Sequence, residues 1–157
     1  EQNFVPVSLD SVLVNAVNLC AAHAENAGFT LLTGEPSPQQ PCGDPSLLEQ
    51  ALVNLIEKAV KYSGGKKITV SLRKEGSQAV FEVKDDGIGI PPEHRARIFE
   101  RFYRVDKSRS RELGGTGLGL AIVKHIAQLH HGKAELADTP DSHGCTFRLL
   151  LPLNGPA

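Results

Sequence analysis

Two glycine clusters hold the residues best suited to chemistry in this chain: Asp85-Asp86-Gly87-Ile88-Gly89-Ile90-Pro91 and Gly114-Gly115-Thr116-Gly117-Leu118-Gly119-Leu120. The second runs straight into a helical pattern. The backbone N–H groups of Gly117, Leu118 and Gly119 would therefore face an anion with a helix dipole behind them, and phosphate is the obvious anion. Asp85 ends an apolar strand pattern, a place where a carboxylate ordinarily caps a turn. A third group, Asn54, Lys58 and Lys61, is spaced four and three residues apart in a helical segment and shares one face. Taken alone, that face reads as a solvated surface stiffened by a Glu57–Lys61 pair contributing a few tenths of a kcal/mol.

Competing phosphate motifs fail on spacing. A dinucleotide fingerprint G-x-G-x-x-G would need glycine at Leu120 and a strand just before the cluster. A Walker loop around Gly65-Lys66-Lys67 lacks the upstream glycine and the following Ser or Thr. No H-R-D or D-F-G sequence supports a eukaryote-like protein kinase.

The bulk numbers confine any phosphate binding to such local features. Seventeen basic residues face 18 acidic ones in 157, so no global field draws nucleic acid or anionic lipid. With 40% hydrophobic and 22% charged residues, one globular domain over 1–157 is expected. No run approaches the roughly 20 apolar residues of a membrane span, and Glu1-Gln2-Asn3 does not open a signal peptide. Cys20, Cys42 and Cys145 are odd in number and show no C-x-x-C pattern, so neither zinc nor a disulfide framework is expected, and a reducing cytoplasm is the default setting. Methionine is absent altogether, which points to an excised domain.

The elements that must position these residues follow from pattern. Phe4 to Val7 reads as a short edge strand containing a tolerated proline. Ser8 or Asp10 caps a helix with Leu13, Val17, Cys20 and Ala24 at helical spacing, ending near Gly28. Phe29 to Thr33 reads as a strand and Glu35 to Gly43 as a proline-rich loop. Asp44 caps a helix that opens with Pro45 and runs to about Tyr62, burying Leu48, Leu52, Leu55, Ile56 and Ala59. Strands at Lys67–Lys74 and Ala79–Val83 join through a turn at residues 75–78. Residues 86–115, long, charged and bounded by glycine, read as a mobile lid with one helical turn at 92–97. A third helix spans Gly117 to His131, and strands at Lys133–Ala137 and Cys145–Leu151 close the chain. Without strict β–α alternation, the expected class is an α+β two-layer sandwich, a mixed, mostly antiparallel five-stranded sheet with three helices on one face.

In this order, the segment LVNLIEKAVKYS (52–63), DDGIGIP, IFERFYRVD (98–106) and GGTGLGL resemble the catalytic and ATP-binding domain of sensor histidine kinases. That domain belongs to the wider group that also holds gyrase-type topoisomerases, mismatch-repair proteins and ninety-kilodalton chaperones. The likeness runs from about Phe4 to Pro152 and implies the Bergerat fold. IFERFYRVD followed by GGTGLGL favours the sensor kinases over a chaperone or topoisomerase fragment.

The resemblance implies roles residue by residue. The aspartate at Asp85 accepts a hydrogen bond from the adenine amino group, where guanine presents a carbonyl. Gly87, Gly89 and Ile90 bring backbone close to the base, and Thr146 is a weaker candidate for the same pocket. Asn54 is the metal ligand. Lys61, beside Tyr62, reaches the phosphates, and Gly115, Thr116, Gly117, Leu118, Gly119 and Leu120 enclose them. In the lid, Phe99, Phe102 and Tyr103 pack, and Tyr103 adjoins the nucleotide. Arg104, and more weakly Arg111, would touch the terminal phosphate. Lys61 and Arg104 are the residues assigned to catalysis. None of the six histidines resembles the phosphate-accepting H-E-L-R-T-P box, so the acceptor is expected outside these residues.

One position departs from the family pattern N-L-x-x-N-A-x-K-Y: its second asparagine is Lys58. Lysine donates no oxygen to Mg²⁺ and repels it, although it can pair directly with phosphate. Two readings follow. In the first, ATP and Mg²⁺ serve γ-phosphoryl transfer to a histidine on the protein's own dimerisation domain, within a homodimeric, membrane-associated sensor that signals to a response regulator. In the second, the domain binds nucleotide as a scaffold with impaired catalysis.

Overall fold

A computed structural model of the chain describes residues 4–62, 64–90, 94, 97–100, 119–137 and 144–153, except for the side chain of Tyr62. Most of the expected lid, including Phe102, Tyr103, Arg104 and Arg111, lies outside them, as do Gly115, Thr116, Gly117 and Leu118.

The elements run β1 (Val5–Pro6), α1 (Leu9–Asn26), β2 (Thr30–Thr33), β3 (Cys42–Gly43), α2 (Pro45–Tyr62), β4 (Lys67–Glu75), β5 (Gln78–Asp85), α3 (Gly119–Leu129), β6 (Lys133–Ala137) and β7 (Thr146–Pro152). The five-stranded sheet has the order β2-β4-β5-β7-β6. Only β2 and β4 run parallel; the other three pairings are antiparallel. The mixed, mostly antiparallel α+β architecture expected from the pattern is therefore present.

Two local expectations are corrected. The segment Phe4–Val7 is not an edge of that sheet: β1 pairs instead with β3, inside the stretch read as loop, to form a separate two-stranded ribbon. Pro6 is tolerated there because a two-residue ribbon demands few ladder bonds.

Capping residues start the helices as their types predict. Ser8 Oγ accepts the Ser11 N–H at the start of α1, and Asp44 Oδ1 accepts the N–H groups of Ser46 and Leu47 at the start of α2. Strand alternation then decides what each sheet face buries. Ile68, Val70 and Leu72 of β4, Ala79, Phe81 and Val83 of β5, and Phe147, Leu149 and Leu151 of β7 share one core with residues of the three described helices. The helices therefore cover this face alone. The other face carries a chain of ion pairs: Arg73 to Glu75 and Glu82, Arg148 to Glu82 and Glu135, and Lys133 to Glu135. Such half-exposed pairs contribute about 0–1 kcal/mol each, so they solubilise the open face more than they hold the fold.

Two polar contacts fix how the helices sit. Between α1 and α2, Glu57 takes a 2.6 Å contact from His23 Nδ1. Burial, together with the charge and hydrogen bonding of the same Glu57, pushes the Cys20 thiol up to about 12, so this cysteine stays protonated and unreactive. At the other seam stands His130. Its Nε2 accepts the Asp44 N–H at 3.0 Å, its Nδ1 donates to the Ile126 carbonyl at 2.8 Å, and its ring stacks on Phe4 at 4.6 Å. One buried imidazole thus joins the start of α2, the end of α3 and the amino-terminal segment.

That pattern needs a neutral ring, since Nε2 must carry a lone pair. Burial lowers the His130 pKa below its ordinary 6.5, against the raising effect of its bond to Ile126 and of Asp44. A histidine depressed in the fold contributes stability that is fully present above the unfolded value near 6.5 and is lost as pH falls below it. We therefore expect His130→Gln to cost about 1 kcal/mol at pH 7.5 and to flatten the loss of stability between pH 7.5 and 5, read by chemical denaturation at both pH values. An unchanged pH slope in the variant would show that His130 is not the group responsible.

Candidate functional site

The end of β5 delivers Asp85 to the helix-covered face, in phase with Phe81 and Val83. The residue is only 4% exposed. Oδ1 accepts the Gly87 N–H at 2.9 Å and the Cys145 N–H at 3.1 Å, and Asp85 N–H donates in turn to the Cys145 carbonyl. Burial raises the Asp85 pKa, the two N–H bonds work against that, and neighbouring Asp86 adds to it. Because both bonds fall on Oδ1, Oδ2 is the acceptor left for a ligand. A buried, directed acceptor of this kind selects a donor, since a group presenting its own acceptor would leave both unpaired.

Backbone closeness makes this arrangement possible. At Gly144 φ is +87°, and a side chain there would collide with the Asp85 carbonyl and crowd its Oδ1. Gly89 has φ +79°, and a Cβ on it would stand 3.3 Å from the Gly144 carbonyl. The first glycine cluster and the approach to β7 are thus packed backbone to backbone. Asp86 ties in a third segment: its Oδ1 accepts the N–H groups of Lys66 and Lys67 at 2.8 Å each, and those two bonds lower its pKa. Gly65 has no room for a Cβ beside Asp86 and Gly87.

The third group of candidate residues is on the polar face of α2. Leu48, Leu52, Leu55, Ile56 and Ala59 are buried as the helical spacing requires. Asn54, Lys58 and Lys61 are each half-buried rather than open to solvent. Asn54 Nδ2 donates to the Gly119 carbonyl at 3.4 Å, joining α2 to the start of α3 and leaving its Oδ1 for a ligand. Gly119 is exposed, with nothing within 4 Å of a Cβ position, while Leu120 anchors the helix start in the core. Burial lowers the Lys58 pKa, and the nearby Cys145 acts against that.

Of the expected residues, Asp85, Gly87, Gly89 and Ile90 gather at one end, and Asn54 and Gly119 meet at the other. Lys58 lies on the α2 face between, and Lys61 continues that face in the last turn of α2. Tyr62 closes the helix. Thr146 is buried but pairs with Lys84, one residue out of phase with Asp85 and Phe147. It is Cys145 whose backbone binds the Asp85 carboxylate. Pattern reading missed Cys145, Gly144, Asp86 and Gly65. Their only traces in sequence are the doubled Asp85-Asp86 and the glycines at 65 and 144.

Among the described residues the protein donors for Mg²⁺ at this site are few. Asn54 supplies one amide oxygen, Lys58 supplies a cation, and no group of three or more His, Cys, Asp or Glu among the described residues could hold a metal.

Comparison with known proteins identifies the family. Residues 43–155 match the family described as histidine kinase-, DNA gyrase B-, and HSP90-like ATPases, and the chain belongs to that family. It is 44% identical over 147 residues to the sensor-like histidine kinase SenX3 of Mycolicibacterium smegmatis, an alignment covering 93% of this chain and 38% of that protein. Against the sensor histidine kinase CpxA of Escherichia coli it is 43% identical over 134 residues, 85% of this chain and 29% of that one. The chain therefore spans less than two fifths of the curated relatives it matches. Among solved structures, the mycobacterial sensor histidine kinase MprB superposes with a TM-score of 0.78 at 29% identity, covering 98% of this chain and 99% of the other. Full-length ShkA in complex with AMPPNP gives 0.82 at 26% identity, covering 98% of this chain and 32% of that one.

The backbone crossing at Gly144 gives a direct test of the site's construction. Gly144→Ala should destabilise the chain by about 1–3 kcal/mol, the scale of forcing a side chain into a left-handed conformation, and should weaken nucleotide binding with it. Thermal melting and nucleotide titration at a temperature where both forms are folded check this. Wild-type values in both would mean that the Asp85 carbonyl and Gly144 are not in close contact.

Proposed function

We propose that residues 1–157 form one ATP-binding catalytic domain of a sensor histidine kinase, with residues 86–115 as its lid. The domain supplies the γ-phosphoryl group to a histidine on a separate dimerisation domain of the same protein. The observation that carries this reading is the buried Asp85 carboxylate, both of whose bonds fall on one oxygen, with the Asn54–Gly119 contact at the start of α3 as a second polar locus. A ligand serving both has a hydrogen-bond donor at one end and an anion at the other. Adenosine triphosphate has both. Asp85 Oδ2 accepts from the adenine amino group, and Gly87, Gly89 and Ile90 lie along the base.

At the phosphate end, the start of α3 offers backbone N–H groups and a helix dipole, and Lys61 and Arg104 supply cationic donors. Phosphoryl transfer asks a protein mainly for positioning and charge stabilisation, which is what such a frame provides. The acceptor histidine reaches the γ-phosphate from outside the domain. The relatives' names and the AMPPNP complex of ShkA support the same ligand class. In the whole protein we place this domain on the cytoplasmic side of a homodimeric, membrane-associated sensor that passes phosphate to a response regulator. Among the described residues no helix is long and apolar enough to cross a membrane.

A second reading rests on Lys58: a module that binds nucleotide yet transfers phosphate poorly. Autophosphorylation of the full-length kinase separates the two, since a scaffold binds ATP without labelling its own histidine domain.

For the nucleotide assignment, Asp85→Asn should weaken ATP binding by roughly 1–3 kcal/mol, the cost of mispairing a buried polar group. GTP should bind the unaltered chain more weakly than ATP. Isothermal titration with both nucleotides measures this, and equal affinities or an indifferent Asp85→Asn variant would remove the adenine assignment.

A further inference from the structure

We propose that Asp86 is a positioning residue for base recognition: it does not touch the nucleotide, and by anchoring the peptide between Asp86 and Gly87 to the entry of β4 it aims the Asp85 carboxylate. The inference rests on the nucleotide-site reading above and adds to it the residue that decides which Asp85 oxygen the base meets. Of the two adjacent acids, Asp85 is buried and Asp86 is exposed. Three observations carry the assignment.

The first is a chain of hydrogen bonds. Asp86 Oδ1 accepts the N–H groups of Lys66 and Lys67 at 2.8 Å each, and the Asp86 N–H donates to the Lys67 carbonyl at 3.3 Å. Side chain and main chain of one residue are thus held by the same two neighbours. The next N–H along the chain, that of Gly87, donates to Asp85 Oδ1 at 2.9 Å. A peptide unit is planar and rigid, so anchoring Asp86 sets where the Gly87 N–H points. With Oδ1 held by that N–H and by the N–H of Cys145, Oδ2 is the oxygen presented to a ligand.

The second observation is space. A Cβ on Gly65 would collide with Asp86 Oδ1 and stand 2.8 Å from the Gly87 nitrogen. Gly65 is not among the glycines with positive φ, so room for this one peptide, rather than an unusual backbone conformation, is what calls for glycine there.

The third is that the fold does not depend on this carboxylate. β4 and β5 pair from Ile68 and Asp85 to Glu75 and Gln78, and Asp86 lies beyond the last of those pairs. Removing its side chain takes away no ladder bond and no core contact. The bonds from Lys67 and Lys66 lower its pKa, so it stays an ionised acceptor at neutral pH.

The test is a competition titration of ATP and of GTP against a fluorescent ATP analogue, at a temperature where thermal melting shows every form folded. It compares the native chain with Asp86→Ala, with Asp86→Asn, whose amide oxygen can accept the same two N–H groups, and with Gly65→Ala. We expect Asp86→Ala and Gly65→Ala each to lose about fivefold or more in ATP affinity, with GTP affinity within about twofold of native, and Asp86→Asn to stay within about threefold of native for ATP. The ratio of ATP to GTP affinity is the deciding readout, because a general loosening of the site lowers both alike. Native selectivity in Asp86→Ala or in Gly65→Ala overturns the proposal, as does an Asp86→Asn variant that loses as much as Asp86→Ala. A native chain that binds neither nucleotide, or both equally, overturns it together with the site reading. ATP selectivity that requires Asp85 and is indifferent to Asp86→Ala overturns the role of Asp86 alone.

Discussion

The site depends on a carboxylate held by backbone. Asp85 Oδ1 bridges the N–H of Gly87, two residues on, and that of Cys145, sixty residues away. One oxygen thereby locks the end of β5, the first glycine cluster and the entry to β7 into a single unit. A hydrogen bond to an ionised group contributes about 1.5–3 kcal/mol, and leaving such a group buried without its partners costs more than either bond yields. The geometry then requires glycine at positions 144 and 89, because two chains must approach at backbone distance beside the carboxylate. Asp86 extends the same logic to Lys66 and Lys67, fixing the connection that leads from α2 into β4.

The α2 helix relates this unit to the start of α3. Its apolar stripe is buried against the sheet and its neighbours, so its polar face has no rotational freedom. Asn54, midway along α2, contacts Gly119, while before the first turn of α2 the Asp44 N–H is held by His130 from beyond the end of α3. The two helices are thus pinned to each other twice, by a polar contact at each end of their seam. A displacement of α3 that would move its N-terminal donors relative to Asp85 has to break one of these contacts.

Much of this architecture could be read from residue types because local chemistry decides it. Ser8, Asp44 and Pro45 mark helix starts, the alternation Ile68-Val70-Leu72 fixes the buried face of β4, and the D-x-G-x-G and G-x-G-L-G-L patterns locate both ends of the site. The phase of β7 could not be read. Leu149, Leu150 and Leu151 are consecutive apolar residues, so alternation gives no preferred face, and only the pairing with β5 puts Cys145 rather than Thr146 in step with Asp85. The β1–β3 ribbon was equally hidden, since its strands are two residues long and their partners lie more than thirty positions apart. His130 gave no signal for a similar reason: each residue that defines its role, except Ile126, is distant in sequence.

The half-burial of Lys58 bears on catalysis as well as on binding. On the nucleotide reading proposed above, a fixed ammonium on α2 would attract phosphates about equally before and during transfer, because it cannot follow charge as it accumulates on the oxygen between the β- and γ-phosphates. Uniform attraction of that kind strengthens nucleotide binding without lowering the barrier to transfer. Differential stabilisation would then fall to groups at the terminal phosphate, the role proposed for Lys61 and Arg104, and to the alignment imposed by the proposed histidine domain. In a chain whose net charge is −1, no distant field compensates for a missing local charge. On that reading, the contrast between Asn54, which can present an oxygen, and Lys58, which can present only protons, would bear on how tightly the site holds nucleotide relative to how fast it transfers a phosphoryl group.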